Sequence, residues 1–233
     1  MRTVGTLDRV AIEAVLFDFS GTLFRLEPDE VWDDMVGPDG KPLDQAAILD
    51  RMTTPVGHGA RFDAAGRTAW ERRDLDPAMH RTAYLEVLRQ AGVPTQALVE
   101  RLYDWMLDPL AWTPYPDTGA VLKTLAAQDI PVAVVSNIAF DIRPAFAAGG
   151  WDRLVAAHTL SFEVGAVKPD PRIFLTALDR LGVRPESALM VGDSAEADGG
   201  AVAAGCGFAL VDPLPTADRA EGLLDVLRRY ELA

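Results

Sequence analysis

An α/β fold, a parallel sheet flanked by helices with a helical insertion after its first strand, is predicted by three observations. From residue 117 onward, apolar runs ending in polar residues alternate with helical segments, the rhythm of parallel strands joined by right-handed crossovers. One such run stands alone near the start, Ala14-Val15-Leu16-Phe17, and closes on Asp18 and a Gly21-Thr22 turn. Between the two, from about 26 to 112, the strand rhythm stops and apolar residues recur at helical spacing. The core is therefore expected in residues 10–25 and 113–233, with a helical cap over 26–112.

Taken in order, the run 14–17 is apolar throughout rather than alternating, the pattern of a strand covered on both faces. It delivers Asp18 to the carboxyl edge of the sheet, where open α/β sheets bind ligands. Within the insertion, Gly37-Pro38-Asp39-Gly40-Lys41-Pro42 reads as a turn or exposed loop. Asp76-Pro77 is an N-cap followed by proline at the first helical position, opening a helix that stops at Gly92. Thr95 opens another, with Leu98, Leu102, Trp105 and Met106 on one face. The aromatic residues here are expected to pack helix on helix. Arg67, Arg72 and Arg73 are expected on a helix surface beside neighbouring acids.

In the second part of the core, a helix near 117–128 leads to a strand over 131–135 that ends in Ser136-Asn137. A short strand near 156–160 precedes Gly165-Ala166-Val167-Lys168-Pro169, and Asp170-Pro171 opens a helix that ends at Gly182. Residues 188–192 form a buried strand leading into Asp193, and 207–211 the last strand.

Composition narrows the function. The 233 residues are 49% apolar and 24% charged, ordinary for a soluble globular chain with a substantial core. A net charge of -13 argues against a broad nucleic-acid or anionic-membrane surface, so an anionic substrate needs local positive charge. Lys41, Lys123 and Lys168 are the only lysines. The sole cysteine, Cys206, excludes an intramolecular disulfide and reads as a small buried filler. With no long apolar leader and no membrane-length apolar run, a cytoplasmic location is expected.

Four strand tips carry polar groups that one sheet edge brings together: Asp18, Ser136-Asn137, Lys168 and Asp193. Singly, each has a plain role as a turn cap or a solvated charge. Jointly they suit one chemistry. Asp18 and Asp193 fit a hard divalent cation such as Mg²⁺. Lys168 offsets carboxylate repulsion, and Ser136 and Asn137 offer neutral donors to a transferring group. Asp18 can then attack and be released by water in a second step.

Asp18-Phe-Ser-Gly-Thr-Leu, Val135-Ser136-Asn137, Glu163-Val-Gly-Ala-Val-Lys168-Pro-Asp-Pro and Val191-Gly192-Asp193-Ser194-Ala-Glu-Ala-Asp198, in this order, resemble the haloacid dehalogenase-like (HAD) superfamily. The resemblance covers about residues 12–212 and implies a Rossmann-like core, an aspartyl nucleophile and Mg²⁺. It makes Asp18 the nucleophile and a metal ligand, with the Ser20 backbone carbonyl and Asp193 completing the metal site. Ser136 binds the transferring group, Lys168 balances charge, Gly21, Ser20 and Asn137 face substrate, and Asp198 and Thr22 support the site from behind.

The chain departs from that family's phosphatases at Ser20, where an acid/base aspartate is usual. Such catalysis is worth about 10²–10⁴ in rate, and a serine hydroxyl has no suitable pKa. A leaving group that departs as a stable anion needs little protonation, as in the superfamily's transport ATPases, which resemble this chain in carrying a hydroxyl residue there. Phosphonoacetaldehyde hydrolases need a cap lysine, and residues 42–122 contain none. His58, in Gly57-His58-Gly59-Ala60-Arg61, is a candidate surrogate acid, with Arg61 a candidate anion clamp. The expected function is a Mg²⁺-dependent phosphatase of a small phosphorylated metabolite, acting through a phosphorylated Asp18. It is expected to be a monomer or homodimer with no nucleic-acid or membrane partner. One alternative is a 2-haloacid dehalogenase using the same Asp18 without metal, although that group tends to carry an aromatic residue at position 20 and to lack the Gly192-Asp193 pair. The other is a catalytically degenerate binding or regulatory protein.

Overall fold

All four residues of β1 (Ala14–Phe17) are buried, because the strand lies at the centre of a five-stranded parallel sheet ordered β5-β4-β1-β6-β7. Its neighbours are β4 (Val132–Ser136) and β6 (Ala188–Gly192), outside which lie β5 (Ala157–Leu160) and β7 (Gly207–Leu210). The computed structural model describes residues 11–32, 35–37, 39–53 and 61–233. The register sets Phe17 opposite Val134 and Val191, so Asp18 emerges between the carboxyl ends of β4 and β6.

Strand periodicity divides the core between the two faces. Val15, Phe17, Val134 and Val191 pack on one side beneath α5 (Thr118–Ala127), α6 (Arg143–Ala148) and α9 (Gly222–Arg229). Leu16, Val135 and Met190 pack on the other against Ile173 and Phe174 of α8 (Pro171–Leu181) and Ala201 of a 3-10 segment over 198–204. Cys206 is buried in this second layer, and burial pushes its thiol up to about 11, away from reactivity.

Two short strands, β2 (Phe24–Leu26) and β3 (Trp112–Pro114), pair antiparallel, with Leu26 opposite Trp112. Sequence reasoning misses this pair: each strand has three residues and its partner is distant in the chain. Between them come α1 (Gln45–Thr53), α2 (Ala64–Arg72), α3 (Pro77–Gln90) and α4 (Gln96–Leu107). The expected caps are present: the Asp76 carboxylate accepts from Ala78 N at 2.8 Å and the Thr95 hydroxyl from Leu98 N at 3.3 Å. Trp32 and Trp105 meet edge to face with centroids 5.2 Å apart, and Trp105 Nε1 donates to Asp29 Oδ2, so these aromatics pack helices as expected. Arg73 differs from its expected surface role. It is half-buried, lies over the Trp70 ring at 3.9 Å and pairs with Asp74 at 3.2 Å. Among the described residues, no helix is long and apolar enough to cross a membrane.

Candidate active site

Lys168 reaches the strand tips from the connection before α8, and its Nζ donates to Asp18 Oδ1 and Asp198 Oδ1, each at 2.6 Å. All three side chains are buried or nearly so. Burial alone would lower the ammonium pKa, but the two carboxylates outweigh it and hold Lys168 charged. The Lys168 backbone is itself clamped. Asn137, just past β4, accepts from Lys168 N at 2.7 Å and donates to Lys168 O at 3.0 Å. Both polar ends of the Asn137 amide are thus engaged with the lysine backbone, whereas the sequence suggested a donor to substrate. Ser136, at the end of β4, is buried beside it.

Asp198 begins the 3-10 segment and is fully buried, with its second oxygen accepting from Ser194 N at 2.9 Å. Both oxygens are therefore used inside the protein. Asp193, which follows β6, is only partly buried. One oxygen each of Asp18, Asp193 and Asp198 lies within 4.8 Å of the others. Burial first, then repulsion from Asp198 and Asp193, pushes Asp18 up to about 8 against the pull of Lys168. Asp193 is raised for the same leading reason, with Asp198 next, and it shares a side-chain hydrogen bond with Asp18. Three carboxyl groups meet a single ammonium here, and the raised Asp18 and Asp193 reflect the lack of further positive charge among them; these hard oxygen donors fit a small divalent cation.

The loop after Asp18 is held from three sides. Asp18 N donates to Val191 O at 3.0 Å, Gly21 N to Phe24 O at 2.7 Å, and the Thr118 hydroxyl to Leu23 O at 2.8 Å. Beneath it, the buried Arg219 guanidinium donates to Gly21 O at 2.7 Å, to Asp212 O at 3.0 Å and to Thr22 O. It stacks on Tyr115 with its central carbon 3.1 Å from the ring centroid. Arg219 was missed in the sequence because its partners are backbone carbonyls, which no side-chain pattern announces. Gly21 adopts φ +76°, and a Cβ there would stand 2.4 Å from Asp193 Oδ2. The glycine thus lets Asp193 approach the loop. Thr22 is fully buried behind this turn, and its hydroxyl has no hydrogen-bond partner among the described residues.

A cavity of about 660 Å³ opens over these tips, floored by Ser20, Gly21, Asp193 and Ser194 and walled by Met52, Tyr84, Met106 and Trp112. That volume suits a small molecule. Ser20 is exposed to it. Arg61 is not among the lining residues: it is exposed, and its backbone N–H and C=O bond the Gln90 side chain. His58 lies outside the described residues. His80 and His158 are held neutral, chiefly by burial, which lowers each to about 4.

The strand-tip carboxylates, the bridging lysine and the parallel sheet coincide with a family match: the model of haloacid dehalogenase-like hydrolases covers residues 12–205. The chain belongs to the haloacid dehalogenase-like hydrolases. Within this family it is 31% identical to a ribulose-1,5-bisphosphate 5-phosphatase of Halopiger xanaduensis, over 89% of the chain and 88% of the relative. It is 35% identical to (S)-2-haloacid dehalogenase 4A of Burkholderia cepacia, over 70% of the chain and 74% of the relative. Against a phosphoserine phosphatase of Thermus thermophilus the identity is 29% over 76% of the chain, which spans 65% of that relative. Among solved structures, L-2-haloacid dehalogenase from Xanthobacter autotrophicus superposes with a TM-score of 0.65 at 24% identity, over 95% of this chain and 86% of that one. That likeness establishes the fold. The relatives named for this HAD-like chain are phosphatases on one side and a haloacid dehalogenase on the other.

Proposed function

We propose that this hydrolase is a Mg²⁺-dependent phosphatase of a small phosphorylated metabolite, working through a phosphorylated Asp18. The observation that carries the reading is the charge count at the strand tips. Asp18, Asp193 and Asp198 converge within 4.8 Å around the single Lys168 ammonium, so ionising all three would leave two negative charges that only a further cation could answer. A phosphoryl group adds more negative charge and requires a cation, whereas a departing halide does not.

Asp18, Asp193 and the Ser20 carbonyl would hold Mg²⁺, which when bound supplies charge neutralisation on the transferring group. The remaining work falls to the chain. Lys168 grips Asp18 Oδ1, which orients the other carboxylate oxygen for attack on phosphorus and offsets charge on the phosphoryl oxygens. Asp198 fixes the lysine from behind, and Asn137 fixes its backbone. Ser136 supplies a neutral donor at the neighbouring tip. The helical segment between β2 and β3 serves as a cap over 26–112, limiting substrate size and excluding water.

The test is hydrolysis of phosphate esters and acyl phosphates spanning leaving-group pKa, with Mg²⁺ and with chelator, beside Asp18→Asn. Mg²⁺-dependent turnover that vanishes in the variant supports the proposal. Release of halide from 2-haloacids, insensitive to chelator, would replace it with the second reading. That reading is favoured by the 35% identity to the Burkholderia cepacia dehalogenase.

A further inference from the structure

An anionic substrate on a chain of net charge -13 needs local positive charge, and the Lys168 ammonium is already engaged by Asp18 and Asp198. Among the described residues that line the cavity over the strand tips, Arg25 is the one cationic side chain. It stands in the middle of β2, between the buried Phe24 and Leu26. Strand alternation turns it away from the core that those neighbours fill, and its side chain keeps 31% of its surface exposed.

The guanidinium is held in place at the cavity. Its Nη1 donates to Pro213 O at 2.5 Å, and Pro213 lines the same cavity. Pro213 packs on the nucleophile loop: a Cβ added at Gly21 would stand 3.2 Å from Pro213 Cβ and 2.4 Å from Asp193 Oδ2. One residue therefore separates the guanidinium from the cavity floor. Tyr115 shares a further hydrogen bond with Arg25. Glu27 lies 3.5 Å from Nε, but both its oxygens are held by Thr216, Oε1 accepting from N at 2.8 Å and Oε2 from Oγ1 at 2.7 Å. The fork has more N–H groups than these contacts use. Asp50 of α1 also lines the cavity and has a partner of its own.

We infer that Arg25 binds a second anionic group of the substrate, a carboxylate or a further phosphate, at the end remote from the phosphoryl group that Asp18 accepts. The assignment rests on the phosphatase reading and narrows its substrates to phosphate esters with two anionic ends. A planar guanidinium suits either oxyanion, because two of its N–H groups can bond two oxygens of one group. The charges then divide by place. The transferring phosphoryl group lies over Asp18 and Asp193, and the remaining anion meets Arg25 on the wall. A neutral leaving portion would gain nothing from that fork, so Arg25 selects among esters through their binding.

The experiment measures kcat and KM, with Mg²⁺, for parent, Arg25→Gln and Glu27→Gln on two matched pairs of esters. One pair is phosphorylated 3-hydroxypropanoate and its amide; the other is the bisphosphate of propane-1,3-diol and propyl phosphate. The parent should favour the anionic member of at least one pair by roughly 10–10²-fold in kcat/KM. The pair that shows the preference identifies the anion as carboxylate or phosphate. Arg25→Gln should shrink that preference below about three-fold, chiefly by raising KM for the anionic member. Glu27→Gln removes the neighbouring negative charge and should instead widen it, by about two-fold or more. If Arg25→Gln does not fold, Glu27→Gln decides alone, and an unchanged or narrowed preference there overturns the assignment. Parallel losses on both members of each pair in Arg25→Gln, or a parent indifferent to the second anion, would overturn the assignment and leave the phosphatase reading standing. A parent inactive on every ester would overturn both.

Discussion

Lys168 Nζ bonds Asp18 and Asp198 at the same 2.6 Å, so a single ammonium ties the first strand tip to the segment that follows β6. The two carboxylates differ in consequence. Asp198 is fully buried with every oxygen engaged, whereas Asp18 retains one oxygen beside Asp193. The lysine thus anchors on one acid and presents the other.

Lys168→Met should cost on the order of 3–5 kcal/mol, because it leaves buried carboxylates without their counter-charge. It should also abolish turnover. Asp18→Asn should abolish turnover while holding or raising the Tm, since it removes a carboxylate that burial disfavours and leaves Lys168 bonded to Asp198. Thermal melts of both variants beside activity check this. An Asp18→Asn protein much less stable than the parent would refute the charge argument.

The same acids set a pH dependence. Asp18, pushed by burial up to about 8 from 3.8, and Asp193, also raised, bind protons more tightly folded than unfolded. Their contribution to stability is complete below the unfolded pKa and is lost as pH rises through the folded one. His80 and His158, lowered to about 4, act oppositely, but only below their unfolded 6.5. Between pH 6.5 and 8 the carboxyl groups therefore decide. In chelator the Tm should fall over that window by roughly 2–6 °C, at about 1.4 kcal/mol per pH unit for one group. Saturating Mg²⁺ should raise the Tm and flatten the slope, by about 2.7 kcal/mol at a hundred-fold excess over Kd. A metal-free Tm that rises toward pH 8 contradicts this.

Much of this was legible in the chain. β1, β4 and β6 are covered on both faces, so they are written as unbroken apolar runs, and each ends at a polar residue of the site. Asp76-Pro77 and Thr95 mark helix starts because capping is local chemistry. The β2–β3 pair was hidden because its register depends on a partner beyond four helices. The Asn137 amide could not be read as a clamp because it bonds the backbone of Lys168.

Arg219 should prove a positioning residue for the nucleophile loop. Its guanidinium holds the Gly21 and Thr22 carbonyls and stacks on Tyr115, so Arg219→Ala leaves buried carbonyls unpaired. The expected loss is on the order of 3 kcal/mol in stability. The expected kinetic signature is a fall in kcat larger than the rise in KM, because Arg219 does not line the substrate cavity. Arg219→Lys, with a point charge in place of a planar fork, should rescue stability more than kcat. A change confined to KM would instead place Arg219 in substrate binding.

Gly21→Ala tests how closely the loop and Asp193 must approach. The added Cβ would stand 2.4 Å from Asp193 Oδ2 and 2.8 Å from its Cγ, and the residue would have to hold φ +76°. Positive φ on a non-glycine residue costs about 1–2 kcal/mol, so the Tm should drop by several degrees even if Asp193 moves aside. If Asp193 does move, it leaves Asp18, and the affinity for Mg²⁺ should weaken in proportion. Isothermal titration of Mg²⁺ into Gly21→Ala separates the two effects. A lower Tm with unchanged Mg²⁺ affinity would mean that the glycine serves only the backbone turn, and that Asp193 does not depend on it for its place beside Asp18.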